Sequence, residues 1–301
     1  MDSSSIGTYA VIRPVRGSEI PMELAFAPTR DEVYVPVAIR RPRGKGPFPV
    51  ITMGRGNGRG GMPHVEQQVE RLAAMQDRMI GRGYAVVYAN YRNEIPYLYG
   101  QIQRAHSTKD DMSGGENRTL KSAPTLDSDD LAAVFSYLKT LPYVNPDAIG
   151  AAGVSHGGEM ILKAAAETTF AAGVVIEGAS HEFLSVNTGP AAPRKAGGLQ
   201  YQDIDVVRGN ADKASAMERI RRIATPILHI GRDRDHLQGI FRLAHDWMQE
   251  AGKDTAWVSF DHAEHGYPFI YPRADGSYRP DPVQQRAFDI FMDFFDNHLR
   301  Q

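Results

Sequence analysis

The sequence has no cysteine, and this absence excludes several kinds of site at once. Disulfides, thiolate metal ligands and a cysteine nucleophile are impossible, so a covalent mechanism has to use a hydroxyl group. No apolar run approaches the roughly 20 residues that span a bilayer, and residues 1–5 lack the basic and apolar regions of a signal peptide. We therefore expect a cytoplasmic protein with no membrane partner.

A strong charge of either sign is also lacking. The chain has 34 basic and 36 acidic residues and a formal net charge of -2, so it is not expected to bind nucleic acid. Its 301 residues, 42% of them hydrophobic, suffice for one large α/β domain. Without repeats or linker composition, we expect a single domain over residues 1–301 with a small-molecule partner, and we leave a homodimer open.

Short apolar runs alternate with runs of helical spacing along most of the chain. Strands are expected at 20–26, 33–40, 49–53, 84–90, 148–154, 172–176, 226–230 and 256–260. Helices are expected at 65–79, 131–138, 158–166, 240–248 and 283–299. This alternation predicts an α/β fold with a mostly parallel central sheet and helices on both faces. Pro36 predicts that the second strand lies near a sheet edge.

The most informative motif is Gly-x-Ser-x-Gly at residues 153–157. It lies between the strand at 148–154 and a helical run, where a serine between two glycines is forced into a strained turn that exposes its hydroxyl. Ser155 is therefore the candidate nucleophile. The chain has 29 glycines, so the pattern also arises by chance, and its weight comes from the residues downstream.

Candidate partners of Ser155 follow the last two strands. A serine nucleophile needs a histidine base, and the base needs a carboxylate that holds its tautomer. His265 follows the strand at 256–260, whereas Asp233 and Asp235 follow the strand at 226–230. Counting along the strand favours Asp235, and the distance to the next helix favours Asp233. We choose Asp235, keep Asp233 as the alternative acid, and expect one of the two to cap the following helix.

With these motifs the chain resembles the α/β-hydrolase fold and, within it, enzymes of the prolyl-oligopeptidase and dienelactone-hydrolase type. The resemblance extends from the strand at 49–53 to the last helix. It implies that Ser155 is the nucleophile and that His265, followed by Gly-Tyr, is the base. The implied Gly-x-x-Asp turn is altered here, because Asp stands at the second and fourth positions after Gly231.

A developing oxyanion needs two fixed donors. The backbone N–H of His156 is the first candidate. The resemblance places the second donor in the loop at 54–61, where relatives carry His-Gly-Gly and this chain has glycines and arginines. The N–H of Asn57 is our candidate there.

Substrate contacts are expected from the same loop and from two longer segments. Arg55 is a candidate for binding a substrate carboxylate. The segments 93–125 and 180–224 are expected to line the pocket, with Tyr97 and Phe183 as wall residues, and residues 181–224 are a candidate cap.

The sequence thus predicts a serine hydrolase that cleaves a carboxylic ester or amide of a small molecule or short peptide through an acyl-serine intermediate. No metal or organic cofactor is expected. An esterase is favoured over a peptidase, because the hydrolase domain leaves no room for a large propeller. A prolyl-oligopeptidase-like peptidase, and a non-hydrolytic acyltransferase or lyase on the same fold, are the alternatives.

Two patterns suggest a cofactor instead. The glycines of Gly-x-Gly-x-x-Gly at 56–61 follow a strand as in an NADP-binding loop, but Asn90 stands where a ribose-binding acid is expected, with Arg92 close by. His262 and His265 with their acidic neighbours suggest zinc, yet their spacing fits no zinc-protease helix. The NADP-binding interpretation also leaves the order Ser, Asp, His unexplained.

Overall fold

The computed structural model describes residues 11–30, 34–54, 61–91, 126–187, 194–195, 198–199 and 201–300. The strands are β1 (Val11–Val15), β2 (Ser18–Pro28), β3 (Tyr34–Arg40), β4 (Phe48–Gly54), β5 (Ala85–Ala89), β6 (Val144–Val154), β7 (Ala172–Ile176), β8 (Arg194–Lys195), β9 (Gly198–Leu199), β10 (Ile227–Arg232) and β11 (Thr255–Phe260). The helices are α1 (Met62–Gly81), α2 (Leu126–Lys139), α3 (His156–Glu167), α4 (Ile204–Gly209), α5 (Lys213–Arg222), α6 (Gln238–Glu250) and α7 (Pro282–Leu299).

Nine of the strands form one sheet in the order β1-β2-β3-β5-β4-β6-β7-β10-β11. From β5 to β11 all neighbours are parallel, whereas β1, β2 and β3 add antiparallel pairs at one side. The predicted mostly parallel sheet is therefore confirmed. Parallel pairing requires crossover helices, and these supply the layers on both faces.

The position predicted for Pro36 is wrong, because β3 lies inside the sheet, between β2 and β5. Proline is tolerated here because Pro36 precedes Val37, the first residue of β3 in register with β5. The carbonyl of Pro36 still accepts a hydrogen bond from the backbone N–H of Asn90 at 3.2 Å. Proline has no backbone N–H, and the N–H that is missing at Pro36 lies at the end of the pairing between β3 and β5. No hydrogen bond within the β3–β5 register therefore depends on it.

Two apolar layers cover the sheet. Helices α1 and α7 pack on one face, and α2 to α6 contribute to the core on the other. The last helix, α7, shows how the sequence directs this packing. Asp281 and Gln284 form a capping box that starts the helix. One face of the helix then carries three fully buried phenylalanines, Phe288, Phe291 and Phe295, spaced one or two turns apart.

The connection between β7 and β10 contains the candidate cap at 181–224. Its described part holds a short β8-β9 hairpin and the helices α4 and α5, which begin at the side-chain caps Asp203 and Asp212. The cap function and the single-domain organisation both stay predictions. Among the described residues, no helix combines the length and apolar composition that crossing a membrane requires.

Candidate active site

Four parallel strands end side by side, and their carboxyl ends form the edge where the candidate catalytic residues lie. Backbone hydrogen bonds continue the sheet beyond the strands: Ser155 N–H donates to Ile176 O, and Glu177 N–H donates to Ile230 O, both at 2.9 Å. Since adjacent strands keep one register, the residues that follow β6, β7, β10 and β11 are held close together.

Ser155 lies at the turn from β6 into α3, as the motif predicts. Its φ of 55° is in the left-handed region, which a non-glycine residue enters only when the surrounding structure enforces it. The flanking glycine is required, because a Cβ on Gly153 would lie 2.3 Å from the carbonyl oxygen of Gly157. The sharp elbow leaves the serine partly exposed at the start of α3.

His265 and Asp235 are in direct contact. The Nδ1 of His265 donates a hydrogen bond to Oδ2 of Asp235 at 2.9 Å, and the carboxylate is fully buried. The other oxygen, Oδ1, accepts from Leu237 N–H at 2.7 Å and lies 3.2 Å from Nδ1 of His236. Burial alone would raise the pKa of Asp235, but the hydrogen bonds from His236 and His265 hold it well below its ordinary value. Asp235 is therefore an anion that orients the imidazole.

Arg232 links the acid to the loop that carries the base. Its Nε and Nη2 lie 2.8 and 2.6 Å from Oδ2 of Asp235. Its Nη1 donates to the carbonyl oxygens of His262 and Ala263 at 3.1 and 3.3 Å. One guanidinium thus holds both the carboxylate of Asp235 and the loop that carries His265.

Asp233, the alternative acid, makes a different set of contacts. Its Oδ1 accepts a hydrogen bond from Ser259 Oγ at 2.5 Å, and its N–H donates to Phe260 O. The geometry therefore favours Asp235 as the acid. The expectation that one aspartate caps the next helix is wrong, because Leu237 is the N-cap of α6 and makes no side-chain cap bond.

Glu177, which is not among the predicted site residues, is a second carboxylate beside the base. Its Oε2 lies 2.7 Å from Nδ1 of His265 and accepts a hydrogen bond from Gly266 N–H at 2.6 Å. The side chain is fully buried, and the backbone has a φ of 46°. A signal was present in the sequence, because Glu177 directly follows a fully buried strand at the same sheet edge.

The electrostatic surroundings of His265 favour its charged form. Burial alone would lower the pKa of this imidazole, but the hydrogen bonds and charges of Asp235 and Glu177 outweigh burial and raise the pKa to about 9. Within the described part of the chain, Nε2 of His265 is buried and has no hydrogen-bond partner. His265 and Asp235 are thus in contact, and Ser155 lies at the same edge of the sheet. The Oγ of Ser155 does not form a hydrogen bond with Nε2 of His265.

The other predicted site residues have different outcomes. His156 is the first residue of α3, where backbone N–H groups find no acceptor within the helix and can face an anion. Arg55, Asn57 and Tyr97 lie outside the described residues.

Phe183 differs from the expected pocket-wall residue, because its side chain is fully buried in the core. Its N–H donates to Glu159 Oε1, and its carbonyl accepts from Arg219 Nε, both at 2.8 Å. The aromatic side chain at this position is used for packing.

A cavity of about 690 Å³ opens beside the base. Its walls include Arg71, His262, His265, Tyr271, Arg273 and Arg279. Arg71 lies 4.5 Å from the centre of the Tyr271 ring, which gives this wall an aromatic and a cationic surface together. The cavity is large enough for a small substrate group next to the imidazole.

Among the described residues, one group has the donor atoms of a metal site: Asp235, His236 and His265 lie with their ligand atoms within 4.8 Å of one another. These atoms already bond each other, and Arg232 supplies a positive charge 2.6 Å from Asp235. A cation there would compete with the guanidinium. For the NADP-binding alternative, the side chain of Asn90 is fully buried, and residues 55–60 of the glycine-rich loop lie outside the described residues.

The sheet order, the elbow at Ser155 and the contact between acid and base define the α/β-hydrolase class of fold. Residues 118–301, more than half of the chain, match the model of the prolyl oligopeptidase family, and the chain belongs to that family. No sequence among the curated proteins matches the chain.

Three solved structures show what the fold is similar to. The acylaminoacyl peptidase of Pyrococcus horikoshii is 18% identical, with a TM-score of 0.61 over 95% of this chain and 43% of its own. The thermophilic esterase Est2 of the Planctomycetes species Thermogutta terrifontis is 19% identical, with a TM-score of 0.57 over 92% of each chain. A Klebsiella pneumoniae protein assigned as a dienelactone hydrolase is 14% identical, with a TM-score of 0.56 over 92% of this chain and 99% of its own. The chain thus spans less than half the length of the peptidase.

Proposed function

We propose that this protein is a serine hydrolase that cleaves a carboxylic ester, or the amide of a short peptide, through an acyl intermediate on Ser155. The observation that carries the proposal is the contact of His265 with buried Asp235 at the edge where the strained elbow presents Ser155. The hydroxyl follows β6, the carboxylate follows β10 and the imidazole follows β11, all at one edge of the sheet. This arrangement supports a nucleophile, an acid and a base in these three positions.

In the proposed reaction, Ser155 Oγ attacks the substrate carbonyl while Nε2 of His265 takes its proton. The imidazolium then protonates the leaving alcohol or amine, and the acyl group stays on the serine. Water, activated by the same imidazole, attacks the acyl carbon and releases the acid. Nδ1 keeps its proton throughout, because Asp235 accepts it as a hydrogen bond at 2.9 Å. The N–H groups of His156 and Asn57 are proposed as oxyanion donors.

Labelling by a fluorophosphonate probe tests the nucleophile directly. Ser155→Ala and His265→Gln should each abolish labelling at neutral and alkaline pH. Ser185→Ala is a matched control, since Ser185 is also a non-glycine residue with positive φ, 53°, and bonds Arg219 instead of an imidazole. His262→Gln is the control for the base, because His262 bonds Asp281 at 2.9 Å. Labelling that survives Ser155→Ala refutes the proposal.

The choice between ester and amide is tested with p-nitrophenyl esters and aminoacyl anilides. Esters are proposed as the preferred class, and the support is the similarity in fold and in length to Est2, which is matched over 92% of each chain. Turnover of anilides at a rate comparable to esters would favour the peptidase alternative. Acyl transfer to an added alcohol, faster than hydrolysis, would favour the transferase alternative.

A further inference from the structure

Two buried carboxylates face the same nitrogen of His265, although the proposed reaction needs only one. Glu177 Oε2 lies 2.7 Å from Nδ1, against 2.9 Å for Asp235 Oδ2, and both side chains are fully buried. Burying a carboxylate is unfavourable unless a cation or hydrogen bonds compensate it. The second acid therefore needs a physical reason of its own.

The two carboxylates differ in how their charges are balanced. Asp235 forms an ion pair with Arg232, whose Nη2 is 2.6 Å from Oδ2. Among the described residues, the ion pair recorded for Glu177 is the one with His265. Much of the negative charge of Asp235 is thus compensated before the imidazole takes up a proton. Within the described part of the chain, the imidazolium is the cation that pairs with Glu177, and the N–H of Gly266 adds a hydrogen bond to the same carboxylate.

Their hydrogen bonds differ as well. The Nδ1–H bond is directed to Asp235, whereas Oε2 of Glu177 accepts from the backbone N–H of Gly266 at 2.6 Å. Glu177 therefore contacts the ring of His265 and also the main chain of the next residue. One carboxylate aims the ring, and the other holds the loop that carries it.

The backbone fixes Glu177 in this orientation. Its N–H donates to Ile230 O at 2.9 Å, which extends the pairing of β7 with β10 by one residue. Its φ of 46° is in the region that favours glycine, and Gly178 follows it. A glutamate persists in such a conformation only where its contacts hold it there.

From these contacts we propose that Glu177 is a positioning residue of His265: it supplies the uncompensated counter-charge of the imidazolium and anchors the loop at Gly266, while Asp235 orients the ring. This inference rests on the proposed function, since it assigns His265 as the base. It predicts a base that is charged at neutral pH and whose proton affinity depends on Glu177.

The other ionisable groups around His265 place limits on this prediction. Among the described residues, they are Ser155 after β6, Arg232, Asp235 and His236 after β10, His262 and Glu264 in the base loop, and Arg71, Arg273, Arg279 and Asp281 around the cavity. Except for Asp235, none of these is a carboxylate in contact with Nδ1. Removing the charge of Glu177 should therefore change the imidazole more than removing any exposed charge.

The test is an NMR titration of His265, which needs no substrate. The chain has ten histidines, so His265→Gln identifies the resonance. Glu177→Gln keeps the size and an acceptor for Gly266 N–H but removes the charge, and it should lower the pKa of His265 by about one unit. Glu264→Gln is the matched control, because Glu264 is the adjacent residue and is exposed; it should shift that pKa by less than about 0.3 unit.

The same variants are then compared by the pH dependence of kcat/KM on an ester. The acidic limb of Glu177→Gln should move to lower pH by the shift that NMR measures, and Glu177→Asp should restore most of the wild-type limb. A pKa of His265 that is unchanged in a folded Glu177→Gln protein overturns the proposal. If Glu177→Gln does not fold, the pKa of His265 is measured in the wild-type protein and in Glu177→Asp. An ordinary imidazole pKa in either protein overturns the proposal, and a raised pKa in both supports it.

The two proposals fail in different ways. A protein that hydrolyses no ester or amide and binds no fluorophosphonate contradicts the proposed function, while the titration still decides the role of Glu177. An active enzyme whose imidazole is indifferent to Glu177→Gln contradicts only the inference drawn here.

Discussion

The most direct consequence of the site is an alkaline dependence of serine reactivity. The free base has to be neutral to accept the serine proton, and its pKa is raised to about 9 by Asp235 and Glu177 against the unfavourable effect of burial. At pH 7 such an imidazole is neutral in only about 1% of molecules, whereas an ordinary one is mostly neutral. The expected kcat/KM at pH 7 is therefore about a hundredfold below its alkaline plateau.

The assay is the second-order rate of fluorophosphonate labelling, or kcat/KM on a p-nitrophenyl ester, from about pH 6 to about pH 10. The rate should rise about tenfold per pH unit below the pKa and level off near pH 9. A profile that is already flat above about pH 7.5 would refute the reasoning, because it would show that the two carboxylates do not hold a proton on His265 in solution.

The same titration has a consequence for stability, which serves as a second readout. A group whose pKa is higher in the folded state stabilises that state while it is protonated in both states. The contribution of His265 is thus complete below its ordinary pKa of 6.5 and is lost as the pH rises through about 9. The thermal stability of Ser155→Ala should fall over this range, and it should fall less in His265→Gln.

Four further substitutions test the site and the fold. Asp235→Asn should lower the labelling rate by about a thousandfold, since the amide disturbs the tautomer of the base, whereas Asp233→Asn should change it by less than about fivefold; equal losses would contradict the assignment of the acid. Gly153→Ala should abolish labelling and destabilise the protein, because the new Cβ would lie 2.3 Å from a backbone oxygen that cannot move aside; this is read by labelling and by urea unfolding. Phe295→Ala, in the fully buried face of α7, should lower the free energy of unfolding by about 3–5 kcal/mol; a loss below about 1 kcal/mol would show that this face is not packed as described.

Much of the fold could be predicted from local patterns. The spacing of apolar residues indicates α7, and the apolar runs before Ser155 and before Asp235 indicate β6 and β10, because buried parallel strands need continuous apolar residues. The position of Pro36 could not be predicted in this way. Proline excludes one backbone donor, and whether a partner strand needs that donor depends on where the partner ends.

The site was predictable to the extent that each residue follows a recognisable strand. Ser155 and His265 carry local signals, the glycines of the elbow and the Gly-Tyr pair. For Asp233 and Asp235 the two local counts favour opposite residues, and the contact with His265 is what favours Asp235 in the structure. Glu177 has no motif, since its role depends on the pairing of β7 with β10. Phe183 shows the opposite error, because an aromatic residue in a variable loop can belong to the core.

The two buried carboxylates at this sheet edge are better explained by a function than by a contribution to stability. Asp235 and Glu177 are fully buried, and Oε1 of Glu177 has no hydrogen-bond partner among the described residues. Apolar side chains of similar size often stabilise a protein more than buried ion pairs do, so burial energy alone does not explain these residues. The sheet edge holds them in place through backbone hydrogen bonds at Ser155 and Glu177, which do not depend on the side chains. An edge that is held by its backbone can carry a strained serine and two buried carboxylates beside an imidazole, and this arrangement suits the proposed proton transfer from Ser155 to neutral His265.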